Sequence, residues 1–137
     1  MTHQTESFHT LLQPAGWSAP RGYANGVAAS GRLIFVAGQV GWNEQQVFCS
    51  TDLVDQVRQT LLNIIAVLAA GGARPEHLVR LNWYLADKVE YQARRKEIGV
   101  VYRELIGAHY PAMTALQVGG FIEAGACVEI EATAVVP

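Results

Sequence analysis

Along the chain the apolar residues change period several times, and each change marks an element. Leu33, Ile34, Phe35, Val36 and Ala37 form an unbroken apolar run after a Ser30-Gly31 turn, the pattern of a buried strand. The short stretch 26–30 ahead of that turn is its predicted hairpin partner, and 41–50 reads as a loop. Between residues 52 and 70, Leu53, Val57, Leu61, Ile64 and Leu68 recur at spacings of three and four, which places them on one face of a helix. Ser50 or Thr51 can cap its start, Asp52 suits the positive end of its dipole, and Gly71-Gly72 tolerates the left-handed turn that ends it. Over 77–86 the period drops to two: Val79, Leu81, Trp83 and Leu85 make a greasy face against Leu78, Arg80, Asn82 and Tyr84, a strand. A second helix is predicted over 90–106, with Tyr91, Ile98, Val101, Tyr102 and Leu105 on one side and Arg94, Arg95 and Lys96 on a solvated one. Two more strands follow, 112–118 and 126–135.

The order is ββαβαββ, an α+β fold with a single sheet, in one domain covering 1–137. Residues 1–20, punctuated by Pro14, Gly16 and Pro20, read as an irregular lead-in. Right-handed crossovers put both helices on the same face of the sheet. The other face then needs a cover, and with no spare element in the chain that cover is expected to be another copy.

Composition narrows the partners. Only 16% of residues are charged and the net charge is -2, so no positive field gathers phosphates and nucleic acid is not expected. The first twelve residues are polar and the apolar run 64–70 is too short to span a bilayer, so neither leader nor membrane partner is expected. Cys49 and Cys127 form no CxxC pair, which suits a reducing cytoplasm. His3, His9, His77 and His109 fall into no HxH or HExxH spacing, and no glycine-rich phosphate loop follows a strand; neither metal nor cofactor is expected. His109 has no nucleophile motif beside it and reads as a surface or interface histidine.

Four strings carry a family resemblance: Gly22-Tyr23-Ala24-Asn25-Gly26-Val27, Val36-Ala37-Gly38-Gln39-Val40, Tyr110-Pro111-Ala112 and Val128-Glu129-Ile130-Glu131-Ala132. In this order, on these elements, they resemble the Rid (YjgF-type) family. The resemblance implies a chorismate-mutase-like fold and a homotrimer, its sheets facing inward and a small-molecule cleft at each subunit interface. It also implies enamine or imine deamination, in which a Pro-Ala-Arg-Ser arginine grips the substrate carboxylate. Here that string is Pro111-Ala112-Met113-Thr114, and the family's Ser-Gly-Gln is Ala37-Gly38-Gln39. The positions left to line the cleft are Tyr23, the Gly38 backbone, Met113 and Thr114, with Trp83 from the neighbouring strand. Glu129 is the one acid/base group among them, with Thr114 assisting. Trp42 and Arg80 are further candidates for the cleft, and Glu131 reads as structural. Two functions stay open: a Rid-like hydrolase of altered substrate, or a non-catalytic trimer that binds a metabolite. A ribonuclease or translation inhibitor ranks last, since it needs a basic groove with stacking aromatics.

Overall fold

The computed structural model describes residues 8–137. Its elements are β1 (Thr10–Leu12), β2 (Gly26–Ala28), β3 (Arg32–Val40), α1 (Leu53–Ala70), β4 (Leu78–Leu85), α2 (Lys88–Ala93), α3 (Arg95–Leu105), β5 (Ala112–Gln117) and β6 (Val128–Val136). Four strands make the main sheet in the order β3-β6-β4-β5; β6 is antiparallel to both its neighbours, while β4 and β5 are parallel. The α+β class with two main helices on one face agrees with the pattern of the sequence.

The start of the chain differs from expectation. β2 does not pair with β3; it pairs antiparallel with β1, Leu11 opposite Val27, in a separate two-stranded ribbon. Leu11 and Leu12 give a strand-forming pair inside a segment whose prolines and glycines read as irregular. The lead-in is therefore part of the fold, and the main sheet has four strands where the sequence suggested five.

α1 packs on β3, β6 and α3, burying Leu53, Val57, Leu61, Ile64 and Leu68 as the spacing predicts. By length and mean hydropathy of 1.3 it has the makings of a membrane span, but here that apolar face builds the core. Gln56 and Thr60 are buried on the same face. The Gln56 amide donates to Ser50 O (3.0 Å) and Gly125 O (2.8 Å), and its oxygen accepts from Cys127 N (2.9 Å). One side chain thus ties two loops to the helix and gives three of their backbone groups a partner.

Asp52 itself is the N-cap, accepting from Asp55 N, while the Ser50 hydroxyl supports it from outside by accepting from Asp52 N. The second helix is broken at Arg94, where ψ rises to 17°. Arg94 is not on a solvated face: its guanidinium bridges Asp52 and Glu97, the latter at 2.8 Å. These bonds hold the Asp52 carboxyl below its ordinary pKa, the Arg94 bond contributing most. The ion pair joins the start of α1 to the break between α2 and α3.

Candidate functional site

Strand register decides which side chains share a face. On β4 and β6, Leu81 lies opposite Ala132, Asn82 opposite Glu131, Trp83 opposite Ile130 and Tyr84 opposite Glu129. Leu81, Trp83 and Ile130 are buried in the core with α1 and α3. Arg80, Asn82, Tyr84, Glu129, Glu131 and Thr133 therefore stand on the opposite, open face. On β5, Met113 is opposite Leu81 and Thr114 opposite Asn82. Met113 accordingly packs against the helix-side core, and Thr114 is exposed on the open face.

Glu129 is placed by a bulge. The β3–β6 register shifts between Val36 and Gln39, and at such an irregularity a strand re-aims its backbone. Gly38 is brought so close to Glu129 that a methyl group on it would lie 2.8 Å from Oε1. Only glycine leaves room for the carboxylate there. Gly38 and Glu129, two of the residues picked from the sequence, thus meet.

The others do not join them. Trp83 is in the helix-side core, its ring centroid 6.4 Å from Tyr91 and 6.5 Å from Tyr102. Thr114 is two strands and two residues away from Glu129, about 12 Å at ordinary strand spacing. Tyr23 belongs to the segment that docks on the start of β5, where Ala24 N donates to Pro111 O (3.0 Å) and Ala24 bridges Ala112. Ala112 is level with Arg80, and Glu129 with Tyr84, four residues along β4 or about 13 Å. Tyr23 instead lines a groove of about 1120 Å³ with Leu12, Pro20, His109 and Tyr110. His109 is engaged there, its Nε2 donating to Leu78 O at 2.8 Å. Trp42 packs on Phe48 in its own loop, centroids 5.6 Å apart.

One cluster escaped the reading of the sequence. Glu131 Oε1 accepts from Asn82 Nδ2 (3.0 Å) and from the Tyr84 hydroxyl. The Tyr84 bond first, then the Asn82 bond, holds the Glu131 carboxyl below the usual range, while the same bond pushes the Tyr84 phenol up. Glu131, Asn82, Phe35 and Ala37 line a shallow pocket of about 440 Å³ beside the bulge. The signal was present as Asn82, Tyr84 and Glu131 on polar alternations, but only the pairing of β4 with β6 joins them. Among the described residues no three His, Cys, Asp or Glu side chains converge as a metal-holding group.

Comparison with known proteins gives these positions a context. Residues 16–136 match the model of the family described as endoribonuclease L-PSP. A RutC family protein from Pyrococcus horikoshii is 33% identical over 113 residues, covering 82% of this chain and 85% of that protein. A goat protein named 2-iminobutanoate/2-iminopropanoate deaminase is 31% identical over 105 residues, 76% of this chain and 73% of its own. A crystal structure of a Rid-family protein from Yersinia pestis superimposes with a TM-score of 0.83 at 30% identity, covering 94% of this chain and 99% of that one. With the family model covering nearly the whole described chain and the fold matching throughout, the chain belongs to the endoribonuclease L-PSP family, the group of the YjgF, RutC and Rid proteins.

Proposed function

We propose that the protein is a Rid-type hydrolase of imines or enamines that works as a homotrimer, with Glu129 carrying the proton. The observation behind this reading is the Glu129 carboxylate seated against the Gly38 backbone at the β3 bulge. A carboxylate held beside exposed main chain can take a proton from an attacking water and return it to the departing nitrogen. Similarity to the goat deaminase supports the reaction class. The open face also exposes Leu33, Phe35 (74% exposed) and Leu116, apolar surface of the kind that marks an interface. Three copies closing over it would bring the Tyr23 end of one subunit towards the Glu129 end of the next. Met113, where deaminases of this kind carry arginine, offers no charge for a substrate carboxylate, so the substrate differs from the usual imino acids. Thr114 and Tyr23 line the cleft from the neighbouring copy.

Two features favour the alternative, a trimer that binds a metabolite without turnover: Met113 leans into the core, and within one chain Tyr23 is remote from Glu129. The ribonuclease reading is weakest, because Glu129 and Glu131 give the open face a charge that opposes phosphates. Glu129→Gln decides between hydrolase and binder. On a hydrolase it lowers turnover by about 10²- to 10⁴-fold with the trimer intact. Unchanged turnover in a folded variant would remove the proposed mechanism.

A further inference from the structure

We propose that the groove beside the β1–β2 ribbon is a second small-molecule site, which takes a neutral aromatic ring carrying an O–H or N–H donor, and that His109 is the acceptor that reads the donor. The groove, of about 1120 Å³, is walled by the ribbon, the segments 19–25 and 106–110, and Glu76. No residue of the main sheet lines it. Copies that close over Leu33, Phe35 and Leu116 sit on the sheet and not on these walls, and Tyr23 is the one residue that the groove shares with the proposed cleft.

His109 supplies the recognition chemistry. Its Nε2 meets Leu78 O at 2.8 Å, and a carbonyl can only accept, so Nε2 carries the proton of the neutral ring and Nδ1 is a bare lone pair. Nδ1 has no hydrogen bond among the described residues. It points away from the carbonyl that holds Nε2, on a ring that lines the groove. The backbone beneath is fastened as well, since the Tyr102 hydroxyl donates to His109 O. An acceptor fixed at the wall of an apolar groove favours a ligand that brings a donor, because one without it leaves Nδ1 desolvated and unpaired.

The walls fit a flat ring. Tyr110 is stacked on the buried Tyr102, with centroids 5.3 Å apart and planes 13° from parallel, so its ring is fixed where it lines the groove. Leu12, Pro20 and Tyr23 add apolar surface, and aromatic walls favour another ring at an offset or an edge. Charge sets the last condition. Among the described residues, Glu76 is the one Asp, Glu, Lys or Arg side chain in the wall, and it is paired with Arg74 at 2.9 Å. An organic acid would find no cation here and one carboxylate to oppose it.

The test titrates the full-length, isotope-labelled protein with 4-methylphenol, 4-methylanisole and 4-methylbenzoate and follows the amide NMR signals. No imine is involved, so the outcome is separate from that of the hydrolase reading. 4-Methylphenol should shift the signals of Leu12, His109 and Tyr110 and leave those of Glu129 and Glu131 in place. It should bind about fivefold more tightly than 4-methylanisole, which has the same ring and oxygen but no donor, a ratio of the size one hydrogen bond confers. 4-Methylbenzoate should bind more weakly than the phenol. His109→Phe keeps a ring and should bring phenol and anisole to equal affinity, whereas Glu76→Gln should leave their ratio unchanged. Equal binding of phenol and anisole by the wild type would mean a groove that is only apolar, and overturns the inference. Binding of none of the probes, tightest binding of the benzoate, or shifts confined to β6 overturns it too. So does a preference kept in His109→Phe and lost in Glu76→Gln, which would make Glu76 the acceptor. If His109→Phe does not fold, the ratios in the wild type and in Glu76→Gln decide between the two acceptors.

Discussion

Glu129 and Glu131 are neighbours on one face of one strand, yet their surroundings give them different work. Glu131 is saturated on one oxygen and fixed as an anion, whereas Glu129 is held by shape, its carboxyl packed against the bare backbone of Gly38. That difference predicts the effect of Gly38→Ala. The new methyl meets the end of a flexible side chain, so the carboxylate swings aside with little loss of stability. Turnover should fall by about 10²-fold, the cost of misplacing a reacting group by about 1 Å, while the melting temperature stays within a few degrees. Wild-type turnover in Gly38→Ala would show that the carboxylate's position is not critical. At this scale the sequence was readable where alternation or a local string sufficed. The greasy face of 77–86 already grouped Trp83 with Leu81 and Leu85, and the structure buries all three. Glu131 was passed over because its partners, Asn82 and Tyr84, lie more than forty positions away, and a linear pattern does not reveal which strands pair.

Elements here are fastened by polar side chains that hydrophobic periodicity ignores. α1 was legible from its leucines, but Gln56, on the same face, holds the loops before β6 and before α1 itself. Gln56→Ala leaves three backbone groups without a partner, and at roughly 1 kcal/mol or more for each the cost is about 3 kcal/mol, a drop in melting temperature on the order of 10 °C. Thermal denaturation of the single variant measures it, and a change of only a degree or two would contradict the role. The β1–β2 ribbon was not legible, because its first strand is three residues long and its docking depends on tertiary contacts. Phe8 packs on the His77 ring at 5.0 Å, and His9 Nε2 bonds His77 O at 3.2 Å. His77 Nδ1 accepts from Arg74 N at 2.9 Å, a bond that only the unprotonated nitrogen can make. Burial pushes the His77 pKa below the ordinary 6.5. A depressed folded pKa means that the unfolded state binds more protons near that range, so this stability is fully present above about pH 6.5 and is lost as pH falls through the lower folded value. Amide exchange of Thr10–Leu12, corrected for intrinsic rates, should therefore accelerate between pH 7 and pH 5 ahead of β6. Equal behaviour of the two strands would argue against it.

For the molecule as a whole, the fold class was legible because two long helical periods between strand patterns allow few arrangements. The site was legible only in part, since its candidate residues lie at opposite ends of the sheet in one chain: Tyr23 beside Ala112, Glu129 beside Tyr84. The account requires that neighbouring copies supply the two halves of each site. Mixing two variants, each altered in one half of the site, tests this most directly. Tyr23→Phe and Glu129→Gln are each purified, combined, unfolded and refolded together, and assayed for imine hydrolysis beside each variant refolded alone. If one copy gives Tyr23 and the next gives Glu129, about one quarter of the sites in randomly mixed trimers regain both residues, and activity returns to about that fraction of wild type. A mixture no more active than the separate variants, in trimers shown to have exchanged subunits, would contradict the shared site.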